Sequence, residues 1–225
     1  MKNCRLWING NPNKDPTNGS IQQVNIQNIV MSDSQWSLVH LICVSGSVIM
    51  SGNQLRYSNT SNGTGGDRGL CFVERCNNMK IHGNFFHQED NSQANTSNYS
   101  FRIFSGCTNI IFHGNQIYNP ILRSTFVLDT FSGSNSNVRV WDNEGYCTDN
   151  EGAASLTGNV STTSFTINHN LDVTPTVVTI SLSTTSGGIP RVTDISLSSF
   201  DVTFTSAPSS GSFTVYWRAS KRVFA

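Results

Sequence analysis

Two stretches, Met79-Lys80-Ile81-His82-Gly83-Asn84 and Ile110-Ile111-Phe112-His113-Gly114-Asn115, are successive copies of one pattern. Each alternates apolar and polar residues, as a strand buried on one face must, and closes on Gly-Asn. Both closing residues tolerate the left-handed backbone of a sharp corner. Val48-Ile49-Met50-Ser51-Gly52-Asn53 stands an equal interval earlier, and Val138-Arg139-Val140-Trp141-Asp142-Asn143 follows after a slightly shorter one. Leu6-Trp7-Ile8-Asn9-Gly10-Asn11 matches as well, and Val24-Asn25-Ile26-Gln27-Asn28 is a degenerate copy between the first two. Repeats with a period of about 30 residues mark a stacked array of one structural unit.

The alternation assigns Leu6/Ile8, Val24/Ile26, Val48/Met50, Met79/Ile81, Ile110/Phe112 and Val138/Val140 to the interior. A second strand precedes the later copies, at 40–44, 71–74, 101–104 and 126–128. Two to three short strands per repeat, turning at Asn and Gly, describe one coil of a right-handed parallel β-helix. Coils stack about 4.8 Å apart, which lets corner Asn side chains form hydrogen-bonded ladders. A leucine-rich solenoid lacks its Leu/Asn signature here, and a β-sandwich would not repeat its corner. The first copy starts so near Met1 that the open end needs cover. The chain therefore reads as the C-terminal coils of a longer helix, or as one whose end another subunit covers.

Composition fits this class. Of 225 residues, 26 are Asn, 31 Ser and 21 Thr, whereas charged residues make up only 12%. Weak helix formers on this scale argue against long helices. Fourteen basic and 14 acidic residues leave no net charge and no basic run, so nucleic acid is not an expected partner. No apolar stretch approaches a membrane span, and the first residues lack a signal-peptide core. All six Cys and 23 of the Asn fall within 1–150, whereas 13 Thr lie in 151–225. Two domains follow, 1–150 and 151–225, joined by a linker over 145–157.

The second domain reads as a small antiparallel β-sandwich, with strands at 164–167, 176–182, 191–195, 200–204 and 212–217 between turn signals. Its run Phe165-Thr166-Ile167-Asn168-His169, with Pro175, Phe200-Asp201-Val202-Thr203-Phe204, Ala207-Pro208 and Gly211 to Trp217, resembles a known module. It is similar to the small C-terminal β-domain of viral tail-spike and tail-fibre proteins, from phages or archaeal viruses. In that family the domain follows a pectate-lyase-like β-helix, the order read here. The resemblance covers 155–219 closely and 1–150 only in architecture. It implies a homotrimeric virion spike that recognises a host-surface polysaccharide or glycoprotein.

Three loops after the Gly-Asn corners, at 57–66, 87–99 and 116–120, are expected to project from one side. Tyr57, Asp90, Tyr99 and Tyr118 are the candidate glycan contacts, since sugar CH faces stack on aromatic rings while hydroxyls take amide and carboxylate partners. Glu74, Asp90 and Asp129 are the weaker catalytic candidates, and no motif fixes a carboxylate pair. Binding is favoured over a polysaccharide depolymerase, and a cell-surface lectin-like adhesin stands third. No cofactor or metal is expected. His82 and His113 form an outward stack lacking a third ligand, and His169 reads as a turn hydrogen-bonder. Cys76 and Cys107 are axial neighbours, close enough for a disulfide or a reduced thiol ladder. Ile49 and Ile111 face outward beside Trp7 and suggest a subunit interface.

Overall fold

The computed structural model describes residues 5–10, 21–34, 37–58, 70–87, 100–118, 128–130, 135–184, 187–221 and 223–224. For 33–34, 57–58, 128–130 and 223–224 it describes the backbone alone. The described residues form strands and no helix. They group into two units, Met1–Gly145 with Val223–Ala225, and Tyr146–Arg222.

In the first unit the chain visits three sheets in a fixed order, one rung per visit. The first rung is β1 (Leu6–Asn9), β2 (Gln23–Gln27) and β3 (Val30–Ser34), and the second is β4 (Val39–Ile42), β5 (Ser47–Ser51) and β6 (Gln54–Ser58). The third is β7 (Cys71–Glu74), β8 (Asn77–His82) and β9 (Phe85–His87), followed by β10 (Phe101–Ile103), β11 (Thr108–His113) and β12 (Gln116–Tyr118). A fifth begins with β13 (Leu128–Thr130) and β14 (Ser136–Trp141). The sheets run β1-β4-β7-β10-β13, β2-β5-β8-β11-β14 and β12-β9-β6-β3, and each of these neighbouring pairs is parallel. Parallel neighbours demand a long return connection, and here the other two sheets supply it.

Two expectations change. Leu6–Asn9 pairs with Val39–Ile42 in the first sheet, so the degenerate copy, with Val24 opposite Val48, opens the second sheet instead. The glycines explain the false match. Gly52, Gly83 and Gly114 have φ of 66°, 62° and 60°, the left-handed corner. Gly10 serves a close approach instead, because its backbone passes so near the Cys43 carbonyl oxygen that a Cβ would collide with it. The segments after the corners are also not simply loops. Residues 54–58, 85–87 and 116–118 are strands of the third sheet, beside Val30–Ser34.

The interior is filled by alternate residues of all three sheets. Val48, Met50, Met79, Ile81, Ile110, Phe112, Val138 and Val140 of the second sheet are 0–1% exposed. Phe112 packs against Phe101 of the first sheet and Phe86 of the third, with ring centroids 5.2 and 5.8 Å away. Each full burial of a side chain of this kind contributes about 1.5–3 kcal/mol.

The corner that follows the second sheet is polar inside. Asn28, Gly52, Gly83, Gly114 and Asp142 all take positive φ, and the next residue turns inward. From the second rung on that residue is Asn53, Asn84, Asn115 or Asn143, each at most 9% exposed. Asn53 Nδ2 donates to Asn84 Oδ1 at 2.8 Å, Asn84 to Asn115 at 3.0 Å, and Asn115 to Asn143 at 2.9 Å. Backbone N–H groups of Ile29, Asn53, Asn84 and Asn115 donate to the same set of Asn oxygens at 3.1 Å. The corner between the first and second sheets varies this theme. Cys107 N–H donates to Asn135 Oδ1 at 2.9 Å, whereas Cys76 N–H meets Cys107 Sγ at 3.5 Å. Cys71, Cys76 and Cys107 are buried free thiols, so Cys76 and Cys107 form the reduced ladder rather than the disulfide.

The second unit contains β15 (Asp149–Gly158), β16 (Ser164–Asn168), β17 (Val177–Leu182), β18 (Pro190–Thr193), β19 (Ser199–Phe204) and β20 (Gly211–Ser220). They form two antiparallel three-stranded sheets, β15-β20-β17 and β16-β19-β18. Ile167, Phe200, Val202, Phe204, Phe213 and Val215 from both sheets share one core. The expected linker over 145–157 is corrected here, because β15 pairs along its whole length with β20. Its small residues have a packing reason: a Cβ on Gly152 would stand 2.8 Å from the Trp217 ring. His169 is fully buried; its Nδ1 accepts from Leu171 N–H at 3.1 Å and its Nε2 meets the Ser196 carbonyl at 3.2 Å. The last strand, β21 (Val223–Phe224), pairs antiparallel with β14 and so belongs to the first unit.

Candidate functional site

The outward face of the third sheet gathers aromatic, amide and charged side chains in two rows. Met31, Leu55, Phe86 and Ile117 point inward and are buried. Their neighbours in sequence therefore face out. One row is Val30, Gln54, Phe85 and Gln116, extended by a bridge from Gln116 to Glu144; the other is Ser32, Arg56, His87 and Tyr118.

The rows are tied together. The Arg56 guanidinium lies over the Phe85 ring, 5.4 Å from its centroid, and Arg56 Nη2 donates to Gln54 Oε1 at 2.9 Å. The ring of Phe85 sits 5.5 Å from that of His87, which meets Tyr118 edge-on at 4.8 Å. Gln116 Nε2 donates to Glu144 Oε2 at 2.9 Å. Tyr118 keeps 51% of its surface exposed. Aromatic faces beside amides and single charges suit a polyhydroxyl ligand, whose CH surface stacks while its hydroxyls exchange hydrogen bonds.

Of the expected glycan contacts, Tyr118 lies on this face, in β12 rather than in a loop. Tyr57 follows Arg56 in β6, one residue past the row that Tyr118 occupies. Asp90 and Tyr99 lie outside the described residues. Glu74 and Asp129 belong to the first sheet. Glu74 is 6% exposed, with Arg75 Nη1 at 3.8 Å from Oε1. Asp129 stands opposite Arg102, and Arg102 opposite Phe72, so its register falls two residues short of Glu74. Two rungs and two residues separate their backbones by about 12 Å. Neither shares a sheet with Tyr118.

Sequence reasoning overlooked Arg56, Phe85, His87, Gln54 and Glu144, although a signal existed. Gln54, Phe85 and Gln116 recur at equal intervals in the sequence, as do Arg56, His87 and Tyr118, with the same period as the corner Asn.

The second sheet carries a separate stack. His82 and His113 lie 5.5 Å apart at 13°, and His113 and Trp141 5.0 Å apart at 5°. Burial, with His82 and Lys80 nearby, lowers the His113 pKa, against an opposing pull from Asp142. Among the described residues no three His, Cys, Asp or Glu cluster as a metal site would require. Beside this stack runs the row Asn25, Ile49, Lys80, Ile111 and Arg139, so cations interrupt the expected apolar column. Trp7 is not next to Ile49; it pairs with His40 in the first sheet.

No family model matches the sequence, and no curated protein matches it. Solved structures do. One is the tailspike protein gp49 from Pseudomonas phage LKA1, 13% identical, with a TM-score of 0.41 over 88% of this chain and 43% of that one. Another is the gp54 tailspike of Acinetobacter baumannii bacteriophage AP22, in complex with A. baumannii capsular saccharide. It is 13% identical, with a TM-score of 0.32 over 99% of this chain and 44% of its own. Both are phage tailspikes. The chain spans less than half the length of either tailspike. At this identity and TM-score neither tailspike determines what the chain binds.

Proposed function

We propose that this chain is the receptor-binding part of a viral tail spike or fibre, and that the outward face of the third sheet holds a host-surface glycan. In this reading residues 1–145 are coils of a right-handed parallel β-helix of the pectate-lyase-like type, and the second unit is a C-terminal β-sandwich. The observation that carries the proposal is the pair of rows joining Arg56, Phe85, His87 and Tyr118 to Gln54, Gln116 and Glu144. Both rows run across successive rungs about 4.8 Å apart, so an extended saccharide would meet a new pair of side chains at each rung. The C-terminal resemblance supports a place on the virion and assembly as a homotrimer.

Binding without cleavage is the reading for this face. Among side chains described there, Glu144 is the acid, and it is already engaged by Gln116. Most glycoside hydrolases need two carboxyl groups flanking the bond. The test incubates the protein with polysaccharide from candidate hosts and follows both retention and new reducing ends. Retention without reducing ends is expected. Release of reducing ends would favour a depolymerase, and absence of retention on every candidate would overturn the glycan reading.

A further inference from the structure

Among the described residues, the third-sheet face holds a half-buried cation with no acid beside it, which narrows the ligand class. Arg56 donates from Nη2 to Gln54 Oε1 and stacks on Phe85. Both partners are neutral. Its Nε is shut off from solvent without a hydrogen-bond partner. Glu144, the acid described on this face, is three rungs away, about 14 Å along the stack, and holds Gln116. Partly burying a guanidinium without an anion is costly, because lost hydration is not replaced by an opposite charge.

Resting on the glycan reading above, we infer that Arg56 is the anchor for a carboxylate carried by the saccharide, so that the face selects acidic sugars over neutral ones. The guanidinium fork is planar and matches the two oxygens of a carboxylate. Its Nη1/Nη2 edge is the one offered to a ligand, since Nε is enclosed. Phe85 backs the fork, and His87 and Tyr118 beside it then take the sugar rings by stacking. A single guanidinium matches a single negative charge, which favours a carboxylate over a doubly charged phosphate monoester.

The test is an array of bacterial surface polysaccharides, each printed in native uronate-bearing form and after reduction of its carboxyl groups, with sulfated and phosphorylated polymers alongside. The native protein is expected to bind at least one uronate polymer about ten-fold more tightly than its reduced partner. Arg56→Gln should bring that ratio to about one while binding to the reduced polymer is kept. Arg56→Lys, which keeps the charge and loses the fork, should give an intermediate ratio, and thermal melts of both variants check that they remain folded. Equal binding of native and reduced forms would overturn the carboxylate anchor and leave the glycan reading standing. Preference for sulfated or phosphorylated polymers, or a ratio that survives Arg56→Gln, would also overturn it. Binding to no printed polymer would overturn both.

Discussion

Asn84 donates from Nδ2 to Asn115 Oδ1 at 3.0 Å while its own Oδ1 accepts from Asn53 Nδ2 at 2.8 Å. The same Nδ2 also reaches the Met50 and His82 carbonyls, at 3.0 and 3.1 Å, and Oδ1 takes the Asn53 backbone N–H at 3.1 Å. One fully buried amide thus links its own rung to the rungs on both sides, and only a side chain with both donor and acceptor does this.

Asn84→Ala should therefore cost about 2–4 kcal/mol, because a buried N–H and a buried carbonyl lose partners together. Asn84→Asp, nearly isosteric, should be no milder, since it offers no donor to the Met50 carbonyl and buries a charge. Urea denaturation at neutral pH measures both. A change below about 0.5 kcal/mol in either would deny the ladder its stabilising role.

Phe112→Ala should cost about 3–5 kcal/mol, as it empties a site walled by Phe86 and Phe101. Ile111→Ala, next to it and half-buried, should cost clearly less. If the two losses were reversed, the inward and outward sides of the strand would be exchanged.

Stability should also fall at alkaline pH. Burial pushes the Cys107 thiol up to about 11, and holds Cys71 and Cys76 well above the ordinary thiol value of 9.0. Unfolded thiols ionise near 9, so above that pH the unfolded chain has released protons that the folded chain retains. The stabilisation is complete below pH 9 and is lost through about pH 11, by about 2–3 kcal/mol from Cys107. Urea midpoints at pH 7.5 and 10.5 should differ, and differ less in Cys107→Ser, which keeps an acceptor for Cys76 N–H. A midpoint independent of pH would contradict buried free thiols.

Acid should act through His113. Its lowered pKa means that the unfolded chain takes up a proton near pH 6.5 while the folded chain resists it. Stability is fully present above that pH and declines below it. His113→Gln should flatten the decline between pH 7 and 5, read as melting temperature; an unchanged slope would deny the stack its part.

The second sheet and its corner were legible because strict alternation and a closing Gly-Asn recur at a constant interval, from Asn53 to Asn84 to Asn115. The third sheet was less so. Phe85-Phe86-His87 is a very short strand in which only Phe86 points inward, too brief a run for alternation to register. Cys71-Phe72-Val73-Glu74 is buried along its length, so its pattern could not tell inside from outside. Asp149–Gly158 resembles a linker in sequence because Gly152, Ala153 and Ala154 carry no apolar bulk, yet the bare Gly152 is what admits the Trp217 ring. Arg56, His87 and Tyr118 share a register but not a chemistry, so no motif joined them before the strands did.

The proposed place for the glycan is the outward face of the third sheet. Hydrogen exchange with and without a retained polysaccharide tests it most directly. Binding there should slow exchange in 54–58, 85–87 and 116–118 and leave 79–82 and 108–113 of the second sheet unchanged. Protection confined to the second sheet, or to Tyr146–Arg222, would place the glycan elsewhere.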